Sequence, residues 1–426
     1  MQSDKIVVVL KYPERFFDGI LNRRTVTQIF TRVRVYVSPG VSCCPADMSS
    51  LRVLELYSGI GGMHFALKES GIPADVVAAV DVNTTANEVY RHNFPNIPLW
   101  SKTIECITLD DFNGLGFDMI LMSPPCQPFT RIGLQGDVAD SRTKSFLHIL
   151  HILPRLAKPP RFLLLENVKG FETSSARDSL VKTLKDCGYH YQEFLLSPTC
   201  LGIPNSRLRY FLIARPQEES FSFQTTTEIL EVFPDAQATP APKAPPSPDL
   251  VNGGEDGGRV LYKLERPCDL LRKHSQDSDG SVRLLREFLQ EEAEIGDRGR
   301  YLLQPRTLLR YALVLDIVQP TCRRSVCFTK GYGHYVEGTG SVLQSRTDIE
   351  VEDAFRAFGT LSDEEKLGQL SKLELRYFTP REIANLMGFP SYFGFPEQSS
   401  LKQRYRLLGN SLNVHIVARL IRLMVS

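Results

Sequence analysis

From residue 51 onward, short apolar runs alternate with amphipathic stretches, and this alternation narrows the possible folds more than any other feature of the chain. A short apolar run bounded by turn formers reads as a strand buried on both faces, whereas apolar residues recurring every three to four positions form the inner stripe of a helix. Strands are predicted at Leu51–Leu56, Val76–Asp81, Phe117–Met122, Phe162–Leu165 and Tyr210–Ala214, with helices over 61–70, 83–92, 142–157 and 174–186. Strand and helix in alternation build βαβ units, so the expected fold class is α/β with a parallel sheet. A last apolar-periodic stretch, Leu412 to Met424, reads as a helix docked back on the core.

The chain has 426 residues, 42% of them hydrophobic, which allows a full-sized core and a second lobe or small domain. Residues 1–47 differ from the rest, scattering Arg23, Arg24, Arg32 and Arg34 among β-branched runs ahead of a second methionine, Met48. They are expected to be a non-catalytic extension; Asp4, Glu14 and Asp18 interrupt the basic character of a mitochondrial presequence. Beyond them we expect a cofactor-binding and catalytic domain over 48–215, a smaller mixed lobe over 216–375 with a mobile Pro/Gly-rich loop at 234–258, and a segment 376–426 that returns to the catalytic domain.

Fifty Lys and Arg against 49 Asp and Glu leave the chain almost neutral. That excludes strong non-specific attraction to polyanions and leaves any nucleic-acid contact to a local basic patch. Nine cysteines, an odd number without a C-x-x-C pair, read as reduced thiols of a protein of the cytosol or nucleus. No apolar run has the length of a membrane span, no signal-peptide pattern opens the chain, and a monomer is the default assembly.

Directly after the first strand comes Glu55-Leu-Tyr57-Ser58-Gly59-Ile60-Gly61-Gly62, opening onto a helix. Glycines there permit a tight turn and bring backbone N–H groups up to a ligand at the helix N-terminus. The dinucleotide fingerprint fits poorly, because its third glycine would fall at His64. Asp81 closes the second strand, where a carboxylate can accept both hydroxyls of a ribose; a helix N-cap ahead of Asn83 is the competing role.

The strand ending at Met122 runs into Ser123-Pro124-Pro125-Cys126-Gln127-Pro128. Prolines stiffen this loop and remove N–H donors, so its thiol is presented at a strand's carboxyl end rather than used for packing, and Cys126 is the candidate nucleophile. The next strand ends in Glu166-Asn167-Val168. Neighbouring strands lie about 4.8 Å apart, so Glu166 can emerge beside Cys126, protonated by a partly desolvated site, as the acid partner. Arg207 and Arg209, two apart ahead of a strand, can face the same way to bind a phosphate, steady a ring carbonyl or hold the thiolate; a salt-bridged surface pair is the alternative. His148 and His151 lack ligand-like partners, so no metal is expected.

In this order, Gly59-Ile60-Gly61-Gly62, Ser123-Pro-Pro-Cys126-Gln, Glu166-Asn167-Val168, Arg207-x-Arg209 and Gly409-Asn410-Ser411 resemble the cofactor, nucleophile, glutamate, arginine and C-terminal motifs of pyrimidine C5-methyltransferases, across roughly residues 48–426. The resemblance implies a Rossmann-like, S-adenosylmethionine-dependent methyltransferase sheet with a smaller, mixed target-recognition lobe. It implies addition of the Cys126 thiolate to C6 of cytosine, which makes C5 nucleophilic enough to take a methyl group while Glu166 donates to N3. By the same route Ile60, Gly61, Gly62, Asp81, Ile104, Glu105, Ser123 and Ser411 map to cofactor contacts, and Tyr57, Ser58, Gly59, Val82 and Asn410 are counted with them.

Pro125-Cys126-Gln-Pro-Phe-Thr130-Arg131, Glu166-Asn-Val-Lys-Gly-Phe171-Glu172, Cys327-Phe328-Thr329 and Thr379-Pro-Arg381-Glu-Ile-Ala-Asn-Leu-Met387-Gly388-Phe389-Pro390 look like the subfamily first classed with DNA methyltransferases but active on transfer RNA. This implies methylation of cytosine 38 in the anticodon loop of aspartate tRNA, with Cys327, Phe328, Thr329, Arg323 and Arg324 as RNA contacts. The added first 47 residues, the loop near 240 and Met387-Gly388, where DNA enzymes carry Gln, are departures, and the last speaks against DNA. A loop nucleotide is also cheaper to extrude than a paired one. Arg272, Lys273, Arg298, Arg300, Arg306, Arg310, Arg323 and Arg324 could grip phosphate, or simply form a salt-bridged surface. The competing functions are DNA cytosine-5 methylation and a catalytically idle nucleic-acid- or cofactor-binding protein.

Overall fold

Alternation of side chains along each central strand sends one set of apolar residues to either face of a sheet, and both faces are covered. The structure, a computed structural model, describes residues 50–125, 143–234, 267–355 and 358–426. Cys126, the extension expected over 1–47 and the loop expected over 234–258, apart from Pro234, lie outside the described residues.

Seven strands form one sheet: β1 (Leu51–Leu56), β2 (Ala74–Val80), β3 (Leu99–Trp100), β4 (Met119–Met122), β5 (Phe162–Val168), β6 (Tyr189–Leu196) and β7 (Arg209–Pro216), in the order β3-β2-β1-β4-β5-β7-β6. Strands β1 to β5 pair in parallel, while β7 runs antiparallel to both β5 and β6. On one face Val53, Met119, Leu121, Leu164, Phe211 and Ile213 meet the helices Gly62–Ser70, Thr84–Asn93 and Val414–Val425. On the other, Leu54, Ile120, Met122, Leu163, Leu165 and Leu212 meet Lys144–Ile152 and Ser175–Asp186.

The expected α/β class is what the chain adopts, with a mixed rather than wholly parallel sheet. The strand order turns back at β1, between β2 and β4, and a crevice at the carboxyl ends of the strands is where such sheets bind ligands. A second sheet of three strands, β8 (Ile317–Val318), β9 (Val342–Gln344) and β10 (Leu375–Tyr377), has its own core of Leu303, Leu308, Leu315, Phe355, Leu370 and Leu373. The chain then returns through the helices Pro380–Leu386 and Leu401–Gly409 to the last helix, Val414–Val425, which packs on Gly62–Ser70.

Candidate active site

The turn after β1 is conformationally demanding. Tyr57 has φ +57°, Gly59 +52° and Gly61 +86°, a left-handed region that a bulky residue adopts only when its surroundings insist. The surroundings are identifiable. Gly59 N–H donates to Asp81 Oδ2 at 2.8 Å, Asn83 N–H donates to Asp81 Oδ1 at 2.7 Å, and Ser123 Oγ donates to the Tyr57 carbonyl at 3.2 Å. Burial raises the Asp81 carboxyl above its ordinary value against the pull of these N–H groups. The helix cap is Asn83, whose side chain accepts from Ala86 N–H. Asp81 is therefore no cap; it braces the glycine turn.

A cavity of about 210 Å³ opens over this turn. Its walls include Tyr57, Ser58, Gly59, Ile60, Gly62, Asp81, Val82, Ser123, Pro125, Glu166, Asn410 and Ser411, so strand ends from β1, β2, β4 and β5 converge on one space with the segment that closes the chain. The Ser58 hydroxyl is buried and has no hydrogen-bond partner among the described residues, the mark of a wall that a polar ligand would satisfy. Gly61 instead lies beneath the turn, where a Cβ would meet the Phe94 ring at 2.5 Å. Ile104 turns into the core, 4% exposed, and exposed Glu105 stands near Tyr57; neither lines the cavity.

Glu166 lies two residues before the end of β5, and its neighbour Asn167 donates from Nδ2 to the Pro124 carbonyl at 3.3 Å, tying β5 to the proline loop that leads into Cys126. Burial raises the Glu166 carboxyl above its ordinary value, opposed by Arg209 and Arg207. Arg209 Nε lies 3.6 Å from Glu166 Oε1. Arg207 precedes β7 instead of lying on it, so Arg209 alone of the two stands at ion-pair distance from Glu166 among the described residues, although both reach Cys327. Arg207 is 4% exposed and acts as a clamp, donating to the carbonyls of Phe328 (3.0 Å), Gly409 (3.2 Å) and Ser411.

Both guanidiniums converge on Cys327 Sγ, at 3.3 Å from Arg207 Nη1 and 3.7 Å from Arg209 Nη2. Burial works to raise this thiol, but the two charges outweigh it and hold it below its ordinary value. The segment Cys327-Phe328-Thr329 thus sits against the catalytic edge. A Cβ on Gly409 would come within 2.2 Å of the Thr329 carbonyl carbon, so only glycine permits that contact.

A family described as C-5 cytosine-specific DNA methylase matches residues 51–426. The chain belongs to this family. It is 59% identical over 396 residues to a human protein named tRNA (cytosine(38)-C(5))-methyltransferase, spanning 88% of this chain and all of the relative. A Dictyostelium discoideum protein named DNA (cytosine-5)-methyltransferase is 37% identical over 387 residues, 89% of this chain and 95% of that one. Among solved structures, a mutant of Spodoptera frugiperda DNMT2 superposes with TM-score 0.71 at 38% identity, covering 88% of this chain and all of that one.

Within this methylase framework two of the expected RNA contacts, Arg324 and Phe328, sit inside the fold. Arg324 is 6% exposed and locked in ion pairs with Asp316 (2.8 Å) and Asp277 (3.3 Å), because a buried guanidinium must be paired. Phe328 is 2% exposed, packed on Tyr332 and Phe378. Arg323 donates to the Val282 carbonyl. Much of the basic surface is likewise spent on carboxylates, Arg272 on Asp269, Lys273 on Asp316, and Arg298 on Glu292 and Glu374. His148 bonds the Ile107 carbonyl at 3.0 Å and His151 meets Arg155.

Asn167 and Glu55 were not assigned roles from sequence. Glu55, fully buried in β1, accepts from Tyr90 Oη at 2.8 Å and from His64 N–H at 3.3 Å, fixing the start of the helix below the turn. An acid set among the apolar residues Val53, Leu54 and Leu56 is the signal that the sequence offers.

Proposed function

We propose that the protein transfers a methyl group from S-adenosylmethionine to C5 of cytosine 38 in transfer RNA, with aspartate tRNA as the principal substrate. The observation that carries this reading is the raised carboxyl of Glu166, braced by Arg209 at one wall of the cavity while Pro125, the residue before Cys126, forms another. The glycine turn, Asp81, the unpartnered Ser58 hydroxyl and Ser411 suit the nucleoside and amino-acid ends of the cofactor. S-adenosylmethionine supplies a methyl group on a positively charged sulfur.

In the proposed sequence Cys126 Sγ bonds to C6 as Glu166 gives its proton to N3, placing an enamine electron pair on C5. The C5–CH₃ bond forms as the methyl–sulfur bond breaks, its electron pair staying on the sulfur of the departing S-adenosylhomocysteine. A base then takes the C5 proton, that bond's electrons restore the C5–C6 double bond and expel the thiolate, and Glu166 recovers its proton from N3. Arg209 steadies Glu166 and the pyrimidine carbonyl beside it, while Arg207 holds the wall. The relatives 58–60% identical over 88% of this chain, all named tRNA (cytosine(38)-C(5))-methyltransferase, favour RNA over DNA.

The test is transfer of a labelled methyl group to total tRNA and, in parallel, to duplex DNA, followed by bisulfite sequencing of the labelled RNA. Label on tRNA at position 38 is expected. Strong labelling of DNA with none on tRNA would sink the substrate assignment.

A further inference from the structure

A second cavity, of about 220 Å³, lies between the residues around 290–301 and the returning segment 379–404. Its wall carries the aromatic rings of Tyr301, Phe393 and Phe395 together with the guanidiniums of Arg381 and Arg404. Arg381 lies over Phe393 and is held by the carbonyls of Pro390 (3.2 Å) and Phe393. Arg404 lies over Phe395 and spends only its Nε, on the Ser399 carbonyl at 3.1 Å; among the described residues its two terminal nitrogens have no hydrogen-bond partner. The one carboxylate in the wall, Glu294, forms no ion pair with either arginine among the described residues.

The floor beneath is rigid. Glu382 is completely buried and is taken by Arg376 at 2.7 and 2.8 Å and by Thr379 N–H at 2.8 Å, and the Thr379 hydroxyl donates to Gln290 at 2.6 Å. Glu382 thus contributes no free charge to the cavity, and of the two guanidiniums Arg381 is held by two carbonyls while Arg404 keeps its terminal nitrogens unspent. Phe393 is buried beneath Arg381, so the half-buried rings of Tyr301 and Phe395 and the unspent terminal nitrogens of Arg404 line the space, a set of groups that matches one base with its phosphate.

The connection to the catalytic edge is short. Arg404 lies near the start of the helix Leu401–Gly409, whose far end delivers Asn410 and Ser411 to the first cavity. At 1.5 Å per residue that nine-residue helix spans about 13 Å.

We propose that this cavity is a second RNA subsite that takes one unpaired nucleotide of the substrate, its base against the aromatic wall and its phosphate on Arg404, a few positions from the target base. The inference rests on the RNA reading above and specifies where the RNA is gripped.

The test uses the full-length protein and tRNA. In Arg404→Ala the apparent KM for tRNA rises about tenfold, with a much smaller change in kcat. The slope of log binding constant against log salt becomes shallower by about 0.7, the value for one phosphate of a single strand. Arg404→Lys keeps the charge but loses the fork, and recovers the salt slope with only part of the affinity. Tyr301→Ala raises KM without altering the salt slope. Arg406→Ala, on the exposed side of the same helix and outside the cavity, serves as the charge-matched control.

Unchanged KM and salt slope in Arg404→Ala, with wild-type protein active on tRNA, would overturn the subsite. So would equal losses in Arg404→Ala and Arg406→Ala, since that outcome reports overall charge. Failure of the wild-type protein to methylate any tRNA is a different result, and overturns the RNA reading itself.

Discussion

Glu55 has no exposed surface, and burial pushes its carboxyl up to about 8 even though Tyr90 and His64 donate to it. Between its ordinary value of 4.5 and about 8, the unfolded chain releases a proton that the folded protein keeps. This contribution to stability is therefore complete below the lower value and declines by at most about 1.4 kcal/mol per pH unit across the window. Glu55→Gln can keep both bonds, its oxygen accepting from His64 N–H and its amide donating to Tyr90. We expect the variant to lose that decline and to exceed the wild type in stability at alkaline pH. Urea unfolding across the window checks it; parallel pH curves for the two proteins would refute the assignment. Glu166→Gln should lower kcat by roughly 10²–10⁴-fold, as for loss of a general acid, with little effect on tRNA binding measured separately. Because burial lifts the Glu166 carboxyl, the protonated form needed for donation persists above the usual carboxylate range and is lost as pH rises through the raised value. At this scale the motif residues were legible, since their chemistry shows in their identity. The fates of Arg207 and Arg324 were not, because a buried arginine is distinguished from a surface one by partners far along the chain, such as Ser411 and Asp277.

Elements reveal a different boundary. Strand β4, Met119–Met122, announces itself by an unbroken apolar run, whereas β6, Tyr189–Leu196, carries Gln192 and Glu193 in buried positions and escapes a hydrophobic pattern. Those polar groups are tolerable because Arg177 and Tyr210 satisfy Glu193, and Thr226 N–H donates to Gln192. The reversed direction of β7 is equally invisible, since burial on both faces reads alike in either orientation. Contacts between loops depend on such packing. In Gly409→Ala the new Cβ meets backbone atoms of Thr329 and Lys330 at 2.2–2.4 Å, which cannot yield as a side chain tip would. We expect a loss of about 1–3 kcal/mol in unfolding free energy, the usual penalty of overpacking, together with a fall in methylation as the Arg207 clamp shifts. A variant with wild-type midpoint and rate would show that the segment relaxes freely.

Over the whole molecule, the layer of helices on one side of the sheet is built from both ends of the described chain. Gly62–Ser70 follows the first strand, and Val414–Val425, with Val417, Leu420 and Ile421 fully buried, lies beside it. Ile421→Ala should cost about 2–5 kcal/mol. Hydrogen exchange at β1 and β2 should speed up by the same free energy as exchange in the last helix, if these parts open together. Acceleration confined to the last helix would show that it frays alone. The sheet and the motifs near it were readable from sequence because they repeat local patterns; this joining of distant segments was suggested only by the apolar period of the final stretch. It also imposes an order on biosynthesis. Until residues 414–425 clear the ribosome, a nascent chain holds a greasy, half-covered platform, the kind of surface that invites chaperones during translation.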